Sequence, residues 1–168
     1  MKESIEVDFC PVPQEQQPIY EYEQLKDSWL FQWGTLELGK YIRKMVWVGF
    51  WSWIVAAPIA NVSFSLTRYP LKFTISSILG ACLLVSLVLL RIYLGWSYIG
   101  DRLNQDRIFY EESGWYDGQT WLKPTNMLNR DRLVFSYQIQ PILRRLQKTF
   151  ATSFALVILG SLTWLLLG

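Results

Sequence analysis

The sequence predicts a membrane α-helical protein, with three transmembrane helices and a small mixed α/β extramembrane domain. Three observations predict it. Apolar residues make up 51% of the 168 residues and charged residues 18%, below the roughly one quarter usual for soluble domains. The apolar residues cluster into three runs, each long enough to cross a bilayer. The polar segments around those runs carry amphipathic-helix, strand and turn patterns instead.

Residues 1–44 form a proline-containing arm and an amphipathic helix. Pro11, Pro13 and Pro18 remove backbone donors and favour extended chain before them. A helix can start after Pro18. Tyr22, Leu25, Trp29, Leu30 and Trp33 then fall at spacings of three or four and make an apolar face. That face lies on the bilayer, packs on the central domain or binds a partner. The acidic, mostly polar start lacks the short apolar run and small-residue site of a signal peptide.

Residues 45–67 are the first span. MVWVGFWSWIVAAPIANVSFSLT has no ionisable residue among Asp, Glu, Lys, Arg and His, and as a helix extends roughly 34 Å. The second span, 73–93, opens with FTISSILGACLLVSLVLL; Arg91 snorkels to an interface and IYLGWSY continues the helix beyond the hydrocarbon. Residues 68–72 make a tight turn between these spans. The third span, 149–168, is TFATSFALVILGSLTWLLLG, uncharged throughout. Lys40, Arg43, Lys44, Arg91, Arg102, Arg144, Arg145 and Lys148 flank the spans on what must be one side. The positive-inside rule assigns that side, with the N-terminus and central domain, to the cytoplasm or stroma and the C-terminus to the opposite side.

Residues 94–148 are an extramembrane hairpin and helix. Arg107–Glu111 and Gln119–Lys123 read as antiparallel strands, with Ser113, Gly114, Asp117 and Gly118 supplying turn chemistry between them. Trp115 and Trp121 cover one face near the interface in this reading. TNMLNRDR reads as a turn or loop, LVFSY as a short strand and QIQPILRRLQK as an amphipathic helix entering the third span. The arm has eight acidic and five basic side chains, and residues 91–148 have six and nine. These opposite balances favour docking of the arm, and a screened difference this small is equally ordinary surface charge. It makes no nucleic-acid stripe.

Candidate chemistry is sparse. Glu111, Glu112 and Asp117 are the carboxylates from which an acid–base or divalent-ion site would be built. On a strand, however, Glu111 and Glu112 point to opposite faces, and Asp117 has a complete role as a turn residue. No catalytic set is therefore assigned. With no histidine and no CxxC pair, no metal site is assigned, and the commonest haem ligand is missing. Cys10 and Cys82 are expected to be reduced thiols. No cofactor is predicted, with a pigment or lipid left open. Arg130 and Arg132 either bind an anion or sit with Asp131 in a solvated loop; Arg144 and Arg145, just before the third span, suit lipid phosphate. Trp29, Trp33, Trp115, Asp117 and Trp121 join these arginines as candidate partner or lipid contacts. Ala56 with Ala60, Ser76 with Gly80 and Ala151 with Ala155 are small pairs that permit close helix approach.

CPVPQEQQP (10–18), EYEQLKDSW (21–29), YEESGWYDGQTW (110–121) and RDRL (130–133) resemble an uncharacterised cyanobacterial and plastid integral membrane-protein family of algae and green plants. The resemblance covers nearly the whole chain. It implies a thylakoid or chloroplast-type membrane and a role in the biogenesis or protection of the photosynthetic apparatus; it supplies no catalytic ligands. The expected function is a non-enzymatic assembly or stabilisation factor for that apparatus, with membrane lipids and a photosynthetic subunit or assembly factor as partners. The alternative is a carrier or modifying enzyme for a hydrophobic pigment or lipid.

Overall fold

The computed structural model describes residues 10–111 and 118–167. In chain order these form a 3₁₀ turn at Gln14–Gln16, α1 (Pro18–Asp27), a 3₁₀ turn at Phe31–Thr35, α2 (Leu38–Ser63) and α3 (Pro70–Asn104). There follow β1 (Arg107–Tyr110), β2 (Gln119–Leu122), α4 (Thr125–Val134), a π turn at Phe135–Ile139 and α5 (Gln140–Leu167). Three helices are long and apolar enough to cross a membrane: Leu38–Ser63, Pro70–Asn104 and the continuous run Thr125–Leu166. The protein is an integral membrane protein with three spans and a hairpin-bearing extramembrane region.

α3 is the central helix, and both α2 and α5 pack mainly on it. Its 35 residues extend about 52 Å, well beyond a hydrocarbon core about 30 Å thick. Within the spans it packs through small residues. Ser77 and Ala81 are buried, and so are Ala56 and Ala60 on α2; a Cβ added at Gly80 would lie 3.0 Å from that of Ala56. Lipid is as apolar as leucine, so helices there associate by close backbone approach rather than by hydrophobic burial. Ala151 and Ala155 do not share this role, because both are exposed. On α5 the buried position between them is Ser153, and further down Gly160 lies against Leu79.

From Leu89 onward the packing changes character. Leu89, Ile92, Trp96, Ile99 and Leu103 are all buried, at spacings of three and four that keep one seam along α3. Ile139, Ile142 and Leu146 continue the same spacing on the π turn and α5, and the two seams belong to one core. The chain returns antiparallel, so this half of the molecule is a two-helix tower. Its outer surface carries polar and charged side chains, and burial of apolar area in an extramembrane region drives packing. The tower replaces the turn expected over TNMLNRDR and the strand expected over LVFSY, both of which are helical. LVFSY has strand-like composition, but as helix it lays Phe135 and Ile139 over Gly100.

The arm wraps the tower rather than the bilayer. Pro18, at the first position of α1, has the pre-set φ and missing donor that suit a helix start. Tyr22 and Trp33 are buried in the tower core, and Tyr22 meets the Trp96 ring edge-on at 6.0 Å. Trp96 Nε1 donates to the Phe31 carbonyl at 3.1 Å. Two glycines permit this approach: a Cβ on Gly95 would fall 2.3 Å from the Phe31 ring, and one on Gly34 would fall 2.6 Å from Ile142.

The strands pair antiparallel with Arg107 opposite Leu122 and Tyr110 opposite Gln119. Ile108 and Tyr110 face inward onto Val12, with Trp121 and Met127 packed beside them. From Arg91 to Asn104, α3 rises about 20 Å before the hairpin begins. Trp115, Glu112 and Asp117, with the rest of the expected turn up to Asp117, lie outside the described residues.

Candidate functional site

The far end of the tower is held by Lys123, expected at the end of a strand, and Asp131, expected in a loop. Lys123 leaves β2 with its backbone N–H donating to the Asp106 carbonyl at 2.9 Å. Its ammonium is fully buried, donates to the carbonyls of Arg102 (3.0 Å) and Leu103 (3.2 Å) at the end of α3, and forms an ion pair with Asp131 Oδ2 (2.9 Å) on α4, outside hydrogen-bonding geometry. Asp131 is likewise fully buried, and Arg130 approaches its other oxygen at 3.4 Å. A buried charge is tolerated where it is paired and hydrogen-bonded, and here two carbonyls and a carboxylate of opposite charge surround the ammonium. This ion pair therefore fixes hairpin, α3 and α4 to one another. The solvated-loop account of Arg130, Asp131 and Arg132 is corrected accordingly: the segment is helical, with both arginines exposed and the aspartate inside.

Arg102 ties in the arm. Its guanidinium pairs with Glu21 and donates to the carbonyls of Gln16 (3.1 Å) and Phe109 (3.4 Å). Burial pushes the Glu21 carboxyl above its ordinary value of 4.5, and the Arg102 charge opposes that shift. The side chain of Gln16 binds both backbone groups of Glu111, donating to its carbonyl at 3.0 Å and accepting from its N–H at 2.9 Å. A side-chain amide thus continues the pairing where β1 ends. At the π turn, Tyr22 Oη donates to Gln138 Oε1. Nearer the membrane, Arg145 donates to the carbonyls of Leu36 and Gly34 and lies 5.6 Å from the Tyr41 ring. Arg91 covers Phe31, and Lys44 covers Trp33.

What remains outward is a presenting surface. Phe109 (62% exposed) and Leu122 (63%) sit on the outer face of the hairpin, where alternation turns Ile108 and Trp121 inward. Arg130 and Arg132 project from α4. Trp29 is 69% exposed and stacks edge-on with buried Trp33. Arg144 is exposed on α5 while Arg145 is half-buried. Of the minority catalytic candidates only Glu111 is described; it is exposed, and its backbone serves Gln16. No group of three metal-ligating side chains occurs among the described residues. Both cysteines are free thiols.

Sequence reasoning missed Lys123, Gln16, Arg102 and Gln138. Lys123, immediately before Pro124, and Asp131 in the following segment carry no local signal of pairing, since the partners meet only across a strand–helix junction.

Comparison with known proteins places these residues in a family. The model for CGLD27-like proteins, described as Conserved in the green lineage and diatoms 27, matches residues 10–152. An uncharacterized ycf36 protein of Pyropia yezoensis is 43% identical over 142 residues, covering 84% of this chain and 86% of the relative. The Arabidopsis thaliana protein Conserved in the Green Lineage and Diatoms 27, chloroplastic, is 44% identical over 149 residues, 88% of this chain. The match spans only 45% of that longer protein. An uncharacterized ycf36 protein of Cyanophora paradoxa is 40% identical over 152 residues, covering 90% of this chain and 94% of the relative. No solved structure matches.

Proposed function

This chain belongs to the CGLD27-like family, and we propose that it is a non-enzymatic assembly or stabilisation factor of a thylakoid-type membrane, serving the photosynthetic apparatus. The tower and docked arm form a platform on the cytoplasmic or stromal side, with the C-terminus opposite, as the basic residues around the spans favour. The client is a subunit or assembly intermediate of that apparatus with a segment outside the bilayer.

The observation that carries this reading is the exposed Phe109–Leu122 face on a hairpin anchored by the buried Lys123–Asp131 pair. Exposed apolar residues grouped on a rigid element mark an interaction surface. Arg130 and Arg132 beside α4 add positive charge suited to an acidic segment. The chloroplastic relative and the resemblance to plastid proteins support the membrane and the client class.

Affinity purification of the full chain from native membranes in mild detergent tests the reading. A photosynthetic subunit should co-purify with the wild-type chain and be lost with Phe109→Ser/Leu122→Ser, a variant that leaves the buried face intact. Recovery of the same proteins with both chains would remove the hairpin from the account. Purification of a monomer with one stoichiometric pigment and no client would replace the scaffold with a carrier.

A further inference from the structure

Because α2 and α5 pack on α3 rather than along one another, they leave a groove between them. Its upper part, about 580 Å³, is lined by Ile42, Met45 and Val46 on one wall and by Arg144, Arg145 and Lys148 on the other. Its lower part, about 350 Å³, runs past Gly49 and Trp53 to Leu156. Met45 and Thr149 line both parts, so the two adjoin. Tyr41 Oη donates to Thr149 Oγ1 at 3.0 Å where the two parts meet, and Phe64 meets Trp164 at 4.9 Å beyond the lower part, so the walls touch at these two levels.

We propose that this groove is a binding site for one bilayer lipid with an anionic headgroup. The charge lies where a headgroup would lie, at the boundary between the last basic residues and the uncharged third span. Arg144 and Lys148 are one helical turn apart and share a face. Neither has an ion-pair or hydrogen-bond partner among the described residues. Arg145 is occupied by the arm's carbonyls and contributes field rather than a contact. Below the charges the groove is apolar. From Met45 to Trp53 it descends about 12 Å, most of one leaflet of a core about 30 Å thick. A soluble anion would use only the top of this site, whereas an acyl chain uses its whole length. The proposal does not depend on the scaffold reading, since a lipid here would hold α2 against α5 whatever the platform binds.

Gly49 supplies the decisive variant. It lines the lower groove, and a Cβ built on it meets nothing within 4 Å. Gly49→Leu should therefore start into open space and extend into the groove. The experiment is native mass spectrometry of the full chain in detergent, titrated with phosphatidylglycerol and, separately, phosphatidylcholine. One phosphatidylglycerol should be retained in preference to phosphatidylcholine. Arg144→Gln/Lys148→Gln should weaken that retention roughly tenfold or more, and Gly49→Leu should weaken it with all the charges in place. Circular dichroism checks that each variant keeps its helicity. Equal retention of the two lipids, unchanged retention by either variant, or displacement by millimolar inorganic phosphate would each overturn the proposal.

Discussion

The two halves of α3 solve the same packing problem differently. In its lower half the helix meets its neighbours through Ser77, Gly80 and Ala81; from Leu89 upward the contacts are Leu89, Ile92, Trp96, Ile99 and Leu103. The change tracks the solvent. In lipid a leucine gains nothing by leaving the tails for another helix, so close approach and a few hydrogen bonds hold the spans together. In water each buried large side chain is worth roughly 1.5–3 kcal/mol, and the tower spends its aromatics inward. The spans are therefore the adaptable part of the molecule and the tower the fixed part.

The comparison is broken most severely by removing one charge from inside the tower. Lys123→Ala strands a fully buried Asp131 and should cost about 3–5 kcal/mol. Denaturant unfolding should show loss of the tower while span helicity persists. Replacing both partners, as Lys123→Met/Asp131→Leu, should recover much of that loss, because the cost belongs to the unpaired charge.

Glycines sharpen the contrast at intermediate size. Gly34→Val drives side-chain atoms into Ile142 and Trp96, and overpacking of this kind costs about 1–3 kcal/mol. Gly39→Ala, at an open position of α2, should instead be neutral or stabilising by up to about 1 kcal/mol. Thermal melts of the two variants in one detergent decide the point. Similar losses would mean that the arm is not seated on the tower.

Within the spans effects should be smaller still. Trp53 Nε1 donates to Ser77 Oγ at 3.3 Å between α2 and α3, and such bonds average about 0.6 kcal/mol in membranes. Ser77→Ala should therefore shift stability by less than any tower variant above, measured by unfolding in the same detergent.

The smallest effect concerns pH. Glu21 has a raised carboxyl pKa in the docked arm, so the docked form holds the proton more tightly than the undocked form. Docking should strengthen slightly as pH falls through the docked pKa towards 4.5 and weaken as pH rises through it. Glu21→Gln should flatten that dependence in a limited-proteolysis profile of the arm.

How much of this was legible follows the same division. The spans announce themselves because lipid demands long uncharged runs, and MVWVGFWSWIVAAPIANVSFSLT admits no other reading. The hairpin was legible from its alternation. The α4 region was misread because Thr125, Asn126, Asn129 and Asp131 are residues that compete with helical backbone and favour turns. Their helix is imposed by tertiary burial of Asp131 on Lys123. Likewise LVFSY has β-branched and aromatic strand formers, and only the spacing of Phe135, Ile139, Ile142 and Leu146 tells that it extends the seam into α5. The candidate site was legible in its exposed arginines and Trp29, which stand out as unburied charge and ring. Its anchors were not, since Gln16 with Glu111 and Glu21 with Arg102 meet across more than eighty residues.

Hydrogen exchange of the full chain in lipid nanodiscs tests the central claim most directly, that the arm is an integral layer of a rigid water-facing tower. Amides of α1 should be protected to a degree approaching that of Ile92–Leu103, and Lys123→Ala should lower protection in both the hairpin and the far end of α3 while leaving α2 unchanged. Rapid exchange throughout α1 in the wild-type chain, with the tower protected, would contradict it.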